Sequence, residues 1–309
     1  DHRNIYRLHF AEWAKSSPPL AEAFGETAPG ATVGRFASYG TRVVTTDNNN
    51  PGEVTGYYAD STILDIFSLA IIDGDKKQAL ATPGTAVITN STASRYFGDQ
   101  SAVGKVLHFD NQQNYTVTAV IEVLPANSHL KFDYLISMPT FYKDVSPDWA
   151  NNIGWMVMYT YVKFRSQDDY RRAQASMPQF MAKFYQPWGE EAQQMVAQNA
   201  LRLLPLTDIH LRSDMEQEMG PNSNILYVYV FIVVEILILI IASANFMSLF
   251  TTQAIRRMKE VGMRKILGAK PGQLMSQFFT EVILLTIISL MLAVVLYQLV
   301  LPFYNSISG

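Results

Sequence analysis

A chain of 309 residues has room for one large domain or two average ones. It is 49% hydrophobic and 17% charged, against about 25% charged in a typical soluble domain, which excludes a disordered chain and points toward a membrane. The net charge of −3 supplies no basic field for nucleic acid, and the lack of cysteine excludes a disulfide scaffold, a thiol nucleophile and thiolate metal sites.

The N-terminal stretch of about 225 residues suffices for a compact domain in two lobes. Residues 27–32 and 48–52 read as loops from their Gly, Pro and Asn content. Residues 54–59 alternate weakly in hydropathy, and residues 61–67 read as a short capped helix. The β-branched run 85–89 predicts a strand, with Asn90 and Ser91 as N-cap residues of a helix through 93–97 that stops at Gly98. Residues 106–109 and 115–123 predict a hairpin about Asp110-Asn111. Strands are expected at 132–138, 156–164 and 201–206, and a helix over 168–188 interrupted near Pro178. The expectation is an α+β exterior domain over 1–222, followed by a membrane region over 223–309.

Residues 226–250 form 25 positions with one charge, Glu235, and residues 282–301 form 20 with none. About 20 helical residues cross a hydrocarbon core of ~30 Å, so both runs are read as transmembrane helices. Between them, residues 251–280 carry six Lys/Arg against Glu260 alone, a net +5. Residues 1–225 carry 18 Lys/Arg and 24 Asp/Glu, a net −6. Basic short loops stay in the cytoplasm, so the loop is inside and the N-terminal region outside. Tyr227, Tyr229, Tyr297 and Tyr304 suit the outer interfacial belt. The chain opens at Asp1, so a cleaved signal or an earlier membrane helix is expected before it.

Catalytic motifs are scarce. Gly98 and Gly104-Lys105 are spaced one residue too far for a P-loop, and Val106 stands where the Mg-binding hydroxyl is required. His2, His9, His108, His129 and His210 show no metal-ligand spacing, and no G-x-S-x-G elbow occurs. The N-x-[ST] matches at Asn90 and Asn114 fall in structured segments. Glu235 lies roughly 13–14 Å into the first run, where a carboxylate costs about 2.5–3.5 kcal/mol. It reads either as a pairing or gating residue between helices or as a neutral, packed Glu. Glu281, at the cytoplasmic edge of the second run, can reach water or loop cations.

In the loop, Ile255, Met258, Val261, Met263, Ile266 and Leu267 recur at roughly helical spacing among basic residues. Gly262 and residues 268–272, with Pro271, are expected to break it into short helical pieces. Such an amphipathic piece either lies on anionic lipid or docks in a partner's groove, and composition alone favours lipid.

The run Asn245-Phe246-Met247-Ser248-Leu249, then Arg256-Arg257-Met258-Lys259-Glu260-Val261-Gly262-Met263-Arg264-Lys265-Ile266-Leu267-Gly268-Ala269, resembles the FtsX-like/MacB-type ABC transporter permeases. Arg95-Tyr96-Phe97-Gly98, Val103-Gly104-Lys105, Tyr115-Thr116-Val117-Thr118, Pro125-Ala126-Asn127-Ser128-His129 and Leu206-Thr207-Asp208-Ile209-His210-Leu211 are similar to the periplasmic core domain of that family. The resemblance implies an inner-membrane permease subunit without catalytic residues, with a helix before Asn4 and at least one more after the chain stops. It implies that Glu260, Val261, Gly262, Arg264, Lys265, Ile266, Leu267, Gly268 and Ala269 form a coupling loop that docks a separate ABC ATPase. ATP and Mg would reside on that ATPase and no cofactor on this chain. A homodimer or paired permease, and a periplasmic adaptor or substrate protein, are the further partners implied. Glu235 and Asn245 are the intramembrane polar residues. Two rivals remain from the residues alone: a membrane-anchored sensory receptor, and a tethered exterior hydrolase that lacks a motif to support it.

Overall fold

A computed structural model describes residues 2–28, 30–46, 51–110, 112–124, 128–189, 201–213, 215–220, 225–268 and 270–308. The chain divides into Asp1–Tyr227 and Val228–Gly309. The first unit carries β1 (Ile5–Phe10), α1 (Pro18–Thr27), β2 (Ala31–Thr45), β3 (Gly52–Ala59), α2 (Ile63–Ile66), β4 (Ile71–Gly74), β5 (Thr85–Thr89) and α3 (Asn90–Phe97). It continues through β6 (Val106–Phe109), β7 (Gln113–Ile121), β8 (Tyr134–Ser137), α4 (Met138–Asp144), α5 (Pro147–Ala150) and β9 (Met158–Phe164). It ends with α6 (Gln167–Tyr185), β10 (Leu201–Pro205) and α7 (Leu206–Arg212).

The 15-residue β2 joins two parts of one sheet. Its first half pairs antiparallel with β9, from Ala31↔Phe164 to Ala37↔Met158, and from Phe36 onward it pairs with β3. An irregularity between Ser38 and Gly40 in the β2–β3 ladder lies just beyond the last β9 pair, with Gly40 at φ +83°, a conformation that favours glycine. Beyond β3 the pairing runs through β8, β5, β7 and β6 and returns to β2 at Val44↔Phe109. Six strands therefore close into a small barrel, and closure removes the exposed edges of that ring. Val44, Tyr58, Ile88, Phe109, Val117 and Tyr134 share its buried cluster.

On the other side of β2, the strands β9, β1 and β10 form an antiparallel arm. Tyr6, Leu8 and Phe10 of β1 pack with Leu20 and Phe24 of α1 and Met177 and Met181 of α6. Ile5 of β1, with Tyr159 and Tyr161 of β9, packs in the cluster that holds Ile63, Leu64 and Ile66 of α2. With both faces covered, every residue of β1 is buried.

The hairpin of β6 and β7 and the strands β5, β8, β9 and β10 lie within a few residues of where the sequence predicts them, β10 giving up Leu206 to α7, and the weakly alternating residues 54–59 lie in β3. Three details differ. Helix α3 is capped by Thr89, whose hydroxyl accepts from the Thr92 N–H, one residue before the expected Asn90. Helix α6 runs through Pro178 without interruption; Pro178 and Gln174, whose carbonyl loses its helical donor, are both exposed and leave that carbonyl to water. Thr32, expected in a loop, is already in β2. Residues 48–50 of the second expected loop, Pro125-Ala126-Asn127 and the proposed boundary at 222/223 lie outside the described residues.

The second unit consists of two long helices, α8 (Ile225–Ile266, 42 residues, its first turn counted with the first unit) and α9 (Pro271–Ser308, 38 residues). Their segments Ile225–Ile255 and Pro271–Tyr304 are long and apolar enough to cross a membrane. A mixed α/β domain followed by two long apolar helices is thus the architecture. Gly262 does not break α8 as expected. One interior glycine costs only ~1 kcal/mol, and good helix formers such as Met258, Lys259, Met263 and Lys265 surround it.

Candidate functional site

The expected coupling loop is a helical hairpin whose turn is only four residues, 267–270. Helix α8 ends with the Leu267 N–H donating to the Met263 carbonyl at 3.1 Å and the Gly268 N–H to the Lys265 carbonyl at 3.1 Å. Gly268 sits at φ +89°, the left-handed stop that glycine supplies at no steric cost. Helix α9 starts at Pro271, which needs no N–H at the first helical position. The Gln273 side chain accepts from the Lys270 N–H at 3.2 Å, half of a capping box.

Polar contacts tie the two arms. Arg257 donates both guanidinium nitrogens to the Glu281 carboxylate, at 2.6 and 2.9 Å, and lies 5.9 Å over the Phe278 ring. Arg264 donates to Gln277 of α9 at 2.9 Å and to Glu260 of its own helix at 2.6 Å. Glu260 and Arg264 are therefore engaged within the hairpin. Val261 is half-buried, while Gly262, Lys265 and Gly268 are exposed. Among the described residues Ile266 and Leu267 are the most open large apolar side chains, 87% and 85% exposed at the tip. Ala269 lies outside the described residues. Glu235 and Asn245 are exposed on α8, about 80° apart around the helix, so they do not form one stripe. Glu235 stands 22 residues from Arg257, about 33 Å along the axis, close to a hydrocarbon thickness. Gln277 is the participant that the sequence reading missed; Glu281 finds the loop cation anticipated for it.

The first unit has a buried polar centre of its own. Arg7 of β1 is fully buried and forks onto Glu218, with one bond of 2.7 Å, and also donates to Ser213 at 3.0 Å. The neighbouring backbone is pinned as well. The Ala14 N–H donates to the Glu216 carbonyl at 3.0 Å, the Glu216 N–H to that of Glu12 at 2.8 Å, and the Tyr159 hydroxyl to that of Gln217 at 2.8 Å. The segment that leads toward α8 is thereby stapled to β1 and β9. His9 on the same strand donates Nδ1–H to the Ala11 carbonyl at 3.2 Å, and burial pushes its imidazole down to about 4.

The remaining motifs resolve into structure. Gly98 at φ +61° ends α3, Gly104 at φ +83° donates to the Val117 carbonyl at 2.8 Å, and Lys105 bonds Gln100 at 2.5 Å over the Phe97 ring. This glycine–lysine segment is the turn from α3 to β6. His108 pairs with Asn114 at 2.7 Å and His129 with the buried Tyr161 hydroxyl at 3.0 Å. Among the described residues no group of three His, Asp or Glu could hold a metal ion.

The family of MacB-like periplasmic core domains matches residues 3–180, and the family of FtsX-like permease C-terminal regions matches residues 232–309. Among curated proteins no match was found. A domain described as that of a permease protein from Porphyromonas gingivalis is 24% identical, with a TM-score of 0.53, over 66% of this chain and 91% of its own. That likeness shows a shared fold. The periplasmic region of MacB from Actinobacillus actinomycetemcomitans is 11% identical, with a TM-score of 0.47, over 67% of this chain and 90% of its own. The extracellular domain of the noncanonic ABC-type transporter YknZ from Gram-positive bacteria is 15% identical, with a TM-score of 0.43, over 65% and 100%.

Proposed function

The chain belongs to the FtsX/MacB-type ABC transporter permeases, and from that membership we propose that it is a mechanotransmission subunit of the bacterial inner membrane. In this reading a separate cytoplasmic ATPase binds ATP and Mg. Its cycle moves α8 and α9, and through them the periplasmic first unit, which exports or extracts a substrate. The chain itself performs no chemistry and works as a homodimer or paired permease, with a periplasmic adaptor or substrate protein on the first unit. The charge difference of +5 against −6 supports the orientation. Glu235 and Asn245 are assigned to contacts with other membrane helices.

The observation that carries the reading is the tip, where Ile266 and Leu267 project from a capped turn between Lys265 and Lys270. Exposed apolar side chains at the tip of a short, capped turn suit insertion into a protein groove. Leu267→Asp in the full-length protein is expected to keep expression and membrane insertion, since the side chain packs on little within its own chain, and to abolish co-purification with the ATPase. Undiminished co-purification returns the hairpin to the lipid surface.

A further inference from the structure

We propose that Arg257 and Glu281 are positioning residues that lock α8 and α9 into one lever, so that a displacement at the tip reaches both membrane spans; this rests on the docking reading above. The two residues lie far apart in sequence yet meet through two parallel charge-assisted bonds, a geometry that fixes orientation as well as distance. Their place in the hairpin matters. Arg257 follows the apolar segment Ile225–Ile255 by two residues, and Glu281 directly precedes the apolar run that starts at Val282. The pair therefore stands where the hairpin passes into its apolar shafts. The tip at Leu267 is ten residues away, about 15 Å of helix.

A lock is needed because the turn cannot provide one. Residues 267–270 contain Gly268, and two helices joined by such a turn are free to scissor unless side chains hold them. Between the pair and the tip, Arg264 bonds Gln277 and keeps nearly the same antiparallel register. An exposed ion pair in water contributes little. At the edge of a hydrocarbon layer the effective dielectric falls, and a bidentate pair gains strength there. A push on the tip then turns both helices together, whereas without the pair it spreads the arms.

The test uses the full-length permease with its ATPase in proteoliposomes. The variants are Arg257→Gln, Glu281→Gln and the exchange Arg257→Glu with Glu281→Arg. Residues 1–309 contain no cysteine, so in a cysteine-free full-length background Arg264→Cys with Gln277→Cys in each variant reports the register through a short thiol crosslinker. The single variants are expected to retain the ATPase on co-purification, lose about tenfold of permease-dependent ATP hydrolysis and crosslink poorly; the exchange restores both signals, because complementary charge is re-formed. Full hydrolysis in the single variants, or an exchange no better than they are, overturns the proposal. If the unaltered permease fails to retain the ATPase, the docking reading falls separately. Crosslinking then decides the lock alone: reduced yields in the single variants with recovery on exchange support it, and unchanged yields overturn it.

Discussion

Replacing Arg7 by methionine removes the positive half of an ion pair that has no water on the arginine side. The Arg7 side chain is 0% exposed and Glu218 is 11% exposed, so the abandoned carboxylate keeps some access to solvent. Removing one partner of a buried pair costs about 3–5 kcal/mol, and that residual access places this case near 3. The Ser213 hydroxyl also loses its guanidinium partner. For a domain of this size ~1 kcal/mol shifts Tm by about 2–4 °C, so Arg7→Met should lower the Tm of residues 1–222 by about 6–12 °C. Adding Glu218→Leu replaces the whole pair and should recover most of the loss, since an apolar pair of similar volume is often neutral or better. Thermal unfolding followed by circular dichroism, with urea titration for the free energies, reads all three proteins. A single variant within ~1 kcal/mol of the parent, or a double variant worse than the single, would refute the claim that this pair staples the lead into α8 to β1.

Three other outcomes are expected. The His9 imidazole is held near 4 by burial, below its unfolded value of 6.5, so the unfolded chain binds the extra proton; stability is retained above pH 6.5 and falls by about 2–3 kcal/mol as pH drops toward 4. His9→Phe should flatten that part of the pH profile of urea unfolding, and an unchanged slope sinks the assignment. A Cβ at Gly56 would stand 2.3 Å from the Tyr134 carbonyl oxygen across β3 and β8, so Gly56→Ala should destabilise by about 1–3 kcal/mol, and a neutral result in the same titration contradicts the strand spacing. In a chain without cysteine, Asp99→Cys should react with an impermeant thiol reagent from the periplasmic side and Lys259→Cys should not; the reverse labelling overturns the orientation.

Legibility followed local chemistry. Strands β5, β7 and β9 announce themselves by β-branched and aromatic runs, and Gly268 and Pro271 mark the hairpin turn by the backbone each prefers. Strand β1 was hidden because Ile5-Tyr6-Arg7-Leu8-His9-Phe10 places an arginine and a histidine in a strand buried on both faces. The distant Glu218 and Ser213 make that burial tolerable, and no local pattern carries a partner across 211 residues. Strand β2 was hidden for another reason: Gly34, Ser38 and Gly40 look like loop punctuation, yet in the sheet Gly34 admits close packing and Ser38 and Gly40 flank a bulge in the β2–β3 ladder. At Gly34 a Cβ would meet Ile66 at 2.8 Å. In the hairpin the basic and apolar residues were legible as a group. Which of them project and which brace the arms was not, because that depends on Gln277 and Glu281 lying opposite in the second helix.

A photo-crosslinking amino acid at position 267 of the full-length permease, irradiated in living cells and identified by mass spectrometry, tests the central claim most directly. Leu267 is open at the tip of the hairpin, so the probe replaces a side chain that its own fold leaves exposed. The account predicts one dominant protein adduct, an ATPase with Walker motifs, that disappears when Ile266→Asp is added. Crosslinking to lipid alone, or to another copy of the permease alone, would contradict it.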